Sequence, residues 1–246
     1  MHGTSAITAV TAQNTLGVSA IQQLPGEIVL AQVRAVVSDI GVDAVKVGML
    51  GSVEVALAVA QAIDELPAGT PVVVDPVMVA ESGARLLEPA AEDALVREIL
   101  PRTTVLTPNL AEARVLAGDR GDSATSASDE DALARALATA VLALGPGAVV
   151  LTGGHRAAAV DLFVDAGSEG SFVAIEGERH PDGAAHGSGC THSSLLAAQL
   201  ALGRTPLEAA RIARARSGDA VARGLREIGG GAGPVDVVDL ASMRAR

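Results

Sequence analysis

Residues 43–77, "DAVKVGMLGSVEVALAVAQAIDELPAGTPVVVDPV", change hydrophobic period twice, and that change decides the architecture. "DAVKVGML" (43–50) and "PVVVDPV" (71–77) are short, apolar and β-branched, the pattern of strands buried on both faces. Between them "VEVALAVAQAIDEL" follows Ser52, whose hydroxyl can accept from a free N–H of a first helical turn. Strand, helix, strand is the unit of a parallel sheet, because parallel neighbours need a long crossover. The second strand stops at Asp75-Pro76, since proline has no N–H to give to a ladder.

The alternation continues outward. "SAITAVTA" (5–12) reads as a buried strand, and residues 25–40 place Ile28, Val29, Val33, Val36, Val37 and Ile40 along one helical face. An amphipathic helix is expected over 89–100 and a strand over 103–109, again ended by proline. Ser128 with Asp131 opens a helix to 144 in capping-box style, after a surface loop over 119–128. "AVVLTGGH" (148–155) is a strand running into a glycine turn, and 159–164 with 171–176 form a hairpin or antiparallel edge. Helices follow over 189–202 and 206–227, then a glycine-rich "GGGAGPV". The expectation is one α/β domain with a mostly parallel sheet covered by helices.

Composition narrows the function. The 246-residue chain carries a net charge of −11, no Trp or Tyr and two Phe. Nucleic acid needs cations to displace phosphate counterions, and single strands need aromatic platforms, so neither is an expected partner. An anionic membrane surface would repel the same charge, and no apolar run is long enough to span a bilayer. The N-terminus lacks the basic region of a signal peptide. A single cysteine excludes an internal disulfide framework and suits the cytoplasm. Among the 18 cations one is lysine, Lys46, where a compact ammonium is wanted. A small phosphorylated or neutral metabolite is the expected partner.

Ligands of open α/β sheets bind at the carboxyl ends of the strands. Six elements deliver polar or glycine residues there: Gln13-Asn14, Gly48-Met49, Asp75, Asn109 with Glu112, Gly153-Gly154-His155, and Gly187-Ser188-Gly189-Cys190. "HGSGCT" (186–191) sets successive N–H groups at a helix start, which suits a phosphate. It lacks the G-K-[ST] of a Walker loop and the spacing of a dinucleotide fingerprint. The helix dipole would lower the pKa of Cys190, leaving it a general base or an acyl-transfer nucleophile, with His192 or His155 as the nucleophile's partner. His192 is badly spaced for that role. Asp75, Asn109 and Glu112 offer the oxygen ligands Mg²⁺ prefers beside phosphates, although Asn109 and Glu112 also make an ordinary capping box.

The segments "AITAVTAQNTLGV", "VKVGML", "VVDPVMVAESG", "LTPNLAEA", "TGGH", "HGSGCTHSS" and "GAGPV" occur in the order found in hydroxymethylpyrimidine/phosphomethylpyrimidine kinase, a thiamine-biosynthesis family of the ribokinase-like superfamily. The chain resembles that family over essentially its whole length. The resemblance implies a three-layer α/β/α sandwich with a mostly parallel central sheet, ATP and Mg²⁺ as cofactors, and a homodimer. It implies phosphoryl transfer to 4-amino-5-hydroxymethyl-2-methylpyrimidine and then to its monophosphate. By position, Gln13 resembles the residue reading the pyrimidine edge, with Met49 and Val77 as apolar walls. Gly187, Ser188 and Gly189 resemble the anion hole and Cys190 the base; Glu112 and Asp75 resemble the metal set. Asn109, Thr152 and Gly154 resemble the ATP-phosphate contacts, although the family often has lysine where Thr152 stands. The family pattern also opens with a strand and glycine-rich substrate loop not found here, so a single domain over 1–246 without that βα unit is expected. Pyridoxal kinase on the same scaffold, a non-catalytic ligand-binding remnant and a cysteine hydrolase are the competing readings.

Overall fold

The computed structural model describes residues 2–79, 86–118, 127–154, 159–168, 170–181 and 183–244. Six strands form the main sheet in sequence order: β3 (Val45–Val47), β4 (Val72–Val74), β5 (Val105–Leu106), β6 (Ala148–Leu151), β7 (Val160–Asp165) and β8 (Val173–Glu176). Neighbours from β3 to β6 are parallel, with Val47 opposite Val74 and Leu106 opposite Val149. The last two strands turn back antiparallel, as the 159–176 pattern predicts.

Side chains alternate across the strands, so each face collects its own core. Val72, Val74, Leu106, Val149, Leu151, Leu162 and Val164 pack beneath α1 (Gly26–Asp39), α2 (Val53–Asp64), α3 (Pro89–Ala94), α4 (Leu110–Leu116) and α5 (Ala127–Leu142). Val73, Val105, Ala148, Val150, Phe163 and Ile175 pack against α6 (Ser188–Ala201) and α7 (Pro206–Ala222). This is the three-layer sandwich with a mostly parallel sheet.

Local chemistry explains most boundaries. Ser52 caps α2 as expected, its hydroxyl accepting from the Val55 N–H at 3.3 Å. The helix expected over 89–100 is α3 followed by a wider π turn (Leu95–Ile99) and a tight 3-10 turn (Leu100–Arg102) that holds Pro101. On α1 the inward face is Val29 and Leu30, while Ile28 and Ile40 are exposed. Residues 119–126, the capping side chain of Ser128, and His155 lie outside the described residues.

The first strand is a correction. Residues 5–12 do not enter the sheet; β1 (Ala9–Gln13) pairs antiparallel with β2 (Val18–Gln23) in a separate hairpin, with Val10 59% exposed. The turn is made by Asn14, whose Oδ1 accepts from the N–H groups of Leu16 (2.9 Å) and Gly17 (3.1 Å). An alternation of alanine and threonine with few large apolar groups gives such a strand nothing to bury. The hairpin is anchored at its base, where the Thr8 hydroxyl donates to the Met49 carbonyl at 2.7 Å.

Leu106 sits fully buried in the short central strand β5. Leu106→Ala is expected to cost about 3 kcal/mol through lost burial and a residual cavity. A urea denaturation midpoint unchanged from the parent would contradict this account of the core.

Candidate active site

The parallel strands end on one edge, and Asp75 stands at its centre. Its N–H bonds the Val47 carbonyl at 2.9 Å, carrying the β3–β4 ladder one residue past β4, and the Val77 N–H then closes a turn on its carbonyl at 2.8 Å. Alternation places Asp75 on the Val73 side of the sheet, facing α6. There the Ser193 hydroxyl donates to Asp75 Oδ2 at 3.0 Å, and Lys46 Nζ lies 3.4 Å from the same oxygen. Ser193 Oγ also lies near the Gly189 and Cys190 carbonyls, but its one proton is held most strongly by the charged acceptor. Gly48 makes room for this arrangement, since a Cβ there would meet Lys46 Nζ at 2.6 Å.

After β5, Asn109 caps α4 with its Oδ1 accepting from the Glu112 N–H, and Glu112 Oε2 accepts from the Asn109 N–H, both at 2.9 Å. The capping box and a ligand role coexist. Thr152 joins Asn109 through a parallel bridge and donates its N–H to the Pro108 carbonyl at 2.9 Å. Burial pushes the Glu112 carboxyl up to about 7; the Asn109 N–H opposes this, the Asp75 charge adds to it, and the Met78 N–H opposes it. A carboxyl whose charge is disfavoured by burial and by a neighbouring carboxylate is a fitting place for a divalent cation, which binds phosphates through one or two such groups and keeps its waters. Among the described residues no three His, Cys, Asp or Glu side chains form a closed metal cluster.

Gly187 stands in the left-handed region at φ 83° and precedes α6, the conformation that lets the loop turn sharply into the helix. The Ser188 N–H is already taken by the Ala185 carbonyl at 2.9 Å. Among the described residues, the N–H groups of Gly187 and Gly189 make no backbone–backbone hydrogen bond and are open to an anion; that of Cys190 makes none either, but also faces its own sulfur. Cys190 is exposed beside Thr191, Ser194, Leu195 and Val237, which line a cavity of about 380 Å³.

The thiol corrects a sequence expectation. Instead of lying low, its pKa is raised: the surrounding protein takes solvation from the thiolate, Lys46 pulls it down, and the Asp75 and Glu112 charges push it up. Desolvation and two carboxylates outweigh the lysine and the helix start. The same fields put sulfur, both carboxylates and the ammonium in one neighbourhood.

His192 faces elsewhere. It is buried with Nε2 3.6 Å from Asp161 Oδ2, and burial lowers its pKa against the pull of Asp161. It is no partner for Cys190; His155, the other histidine of the hydrolase reading, lies outside the described residues. Asp161 also accepts from the Gly153 N–H at 2.7 Å, fixing the turn after β6 that continues to Gly154. Met49 and Val77 are half-buried at the ends of β3 and β4. Gln13 belongs to the hairpin and not to this edge; the hydrogen bond it makes is with the Thr11 hydroxyl at 3.5 Å. Sequence reasoning missed Ser193 and Asp161. A carboxylate inside the apolar "AVDLFV" run was a usable signal for the second, whereas "THSS" gave none for the first.

The sheet order, the helix-start amides and the acidic rim suit a kinase of the ribokinase-like fold, the class to which its structural neighbours belong. Residues 1–236 match the phosphomethylpyrimidine kinase family, and the chain belongs to it. The hydroxymethylpyrimidine/phosphomethylpyrimidine kinase of Streptomyces coelicolor is 47% identical over 96% of this chain and 83% of its own length. The crystal structure of phosphomethylpyrimidine kinase from Clostridium difficile 630 is 34% identical, with a TM-score of 0.69 over 87% of this chain and 84% of that one. Pyridoxal kinase from Staphylococcus aureus in complex with ADP is 30% identical, with a TM-score of 0.79 over 94% of this chain and 81% of that one.

A carboxyl held above its ordinary value binds its proton more tightly in the folded chain than in the unfolded one. Glu112 therefore stabilises the metal-free protein at low pH, and that contribution is lost as pH rises from 4.5 to about 7. Across this window Glu112→Gln should gain melting temperature relative to the parent, and added Mg²⁺ should raise the parent's more than the variant's. Parallel pH curves with equal Mg²⁺ responses would remove Glu112 from both roles.

Proposed function

We propose that this chain phosphorylates 4-amino-5-hydroxymethyl-2-methylpyrimidine and then its monophosphate, using ATP. What carries the reading is the meeting of free α6 amides, the Cys190 thiol and the Lys46–Asp75–Glu112 charges on one edge of the sheet. The first transfer forms a bond from the alcohol oxygen to the γ-phosphorus, the second a bond from an oxygen of the monophosphate, and each breaks the γ-phosphorus bond to the bridging β-phosphate oxygen. Such a reaction asks the protein for alignment and charge stabilisation and for little covalent chemistry. The amides of Gly187, Gly189 and Cys190 would receive the phosphoryl oxygens, and the alcohol proton passes to Cys190 Sγ. Ser188 contributes through the loop it braces, since its N–H is engaged.

Asp75 and Glu112 would hold Mg²⁺, which when bound offsets the negative charge of the phosphates. Positive charge at that position would also offset the two carboxylate fields, which add to the burial that raises the thiol. Asn109, Thr152 and Gly154 would border the ATP phosphates, and Met49 and Val77 the pyrimidine, with Gln13 reaching it from the separate hairpin. The identity of 47% to the Streptomyces coelicolor pyrimidine kinase and 34% to the Clostridium difficile one, against 30% for pyridoxal kinase, favours the pyrimidine over pyridoxal.

We further infer a homodimer in the cytoplasm. The exposed apolar residues Val10, Leu16 and Ile21 on the hairpin support association, and sedimentation should give twice the 24.5 kDa chain mass. A single lone thiol fits a reducing compartment. Among the described residues no helix is long and apolar enough to cross a membrane.

The parent protein should consume ATP with the hydroxymethylpyrimidine and prefer it to pyridoxal. Cys190→Ala should lower kcat by about 10²–10⁴-fold, the range for loss of a general base. ATP should still raise the variant's melting temperature. Undiminished turnover in the variant would end the base assignment, and a pyridoxal preference would end the pyrimidine one.

A further inference from the structure

The motif "GAGPV" (231–235) takes no part in the chemistry above, yet it lies between two pieces of the site. At one end, the hairpin turn rests on three glycines. The Gly231 N–H donates to Thr15 Oγ1 at 3.3 Å, across 216 residues of sequence. A Cβ on Gly229 would overlap the Thr15 hydroxyl, one on Gly231 would overlap the Thr15 carbonyl oxygen, and one on Gly230 would reach Leu16 at 3.5 Å. The overlap at Gly231 is with backbone, so no rotamer change relieves it. Gly229 is also left-handed, at φ 78°.

At the other end the segment pairs with the loop that opens α6. The His186 N–H donates to the Gly233 carbonyl at 3.2 Å, and the Val235 N–H donates to the His186 carbonyl at 3.1 Å. Val235 Cγ2 would lie 3.9 Å from a Cβ at Gly187, and Val237 lines the cavity beside Cys190. The Asp236 N–H ties the segment to the Ala220 carbonyl of α7 at 3.0 Å. One short run of chain is thus fastened to the hairpin tip, to the amide loop and to a helix.

We propose that Gly229–Val235 is a strap that holds the hairpin tip against the phosphate-facing loop, making Thr15 and Gly231 positioning residues for the alcohol substrate. The hairpin base is already pinned to the Met49 carbonyl by Thr8, so seating the tip as well leaves Gln13 little freedom to swing. The role in substrate placement rests on the pyrimidine-kinase reading; the fastening itself does not. Glycine is required because only a bare Cα lets the two backbones approach this closely.

The test is a double-mutant cycle. Gly231→Ala lifts the tip; deleting Thr15 and Leu16 leaves an Asn14-Gly17 two-residue turn, a favoured hairpin connection that no longer reaches the strap. Gly231→Ala alone should speed amide exchange in residues 9–23 and raise KM for the pyrimidine alcohol at least about tenfold, with KM for ATP unchanged. In the shortened hairpin the same substitution should change neither quantity. Exchange as slow as in the parent, or an equal effect of Gly231→Ala in both backgrounds, overturns the strap. Faster exchange with an unchanged KM for the alcohol overturns the positioning role and leaves the kinase reading standing. If the parent does not turn over the alcohol, that reading fails and exchange alone decides the fastening.

Discussion

Asp75 is taken out of water at the end of β4 and met there by the Lys46 ammonium and the Ser193 hydroxyl. A buried carboxylate costs several kcal/mol to desolvate and is tolerable only with such partners. Those partners come from β3 and from α6, residues otherwise far apart in the chain. The position of α6, and with it the open amides at its start, is therefore set by where Asp75 must find its proton donor. Gly48 and the small first turn of α6 let this happen without collision.

The same carboxylate shapes the electrostatics around it. Burial raises Glu112 and the Cys190 thiol, and the Asp75 charge adds to the rise of both. Behind the site a second buried carboxylate, Asp161, grips the Gly153 turn and faces His192 and Arg214. Two acids, each central to one side of α6, carry the polar contacts by which the helix is registered against the sheet.

Much of this was legible in the chain. The 43–77 unit reads correctly down to the Ser52 cap, because hydrophobic period, capping chemistry and the proline stop agree with one another. The Asn109–Glu112 box is also where its spacing places it. The hairpin escaped because a period-2 pattern says strand without saying in which sheet. "QNTLG" was the available sign of a tight turn, and Asn14 uses it. The thiol's raised pKa was beyond reach, since it depends on Asp75 and Glu112, which approach Cys190 only once the sheet is assembled.

The hydrogen bond from Gly231 to Thr15 joins residues 216 positions apart. A ribosome makes the hairpin well before it makes the seat for its tip. Until residues 229–235 leave the exit tunnel, the hairpin can be held at its base by the Thr8 bond to Met49, but its tip has no seat. Fixing the tip thus waits on a late segment, whatever the speed at which the central sheet forms.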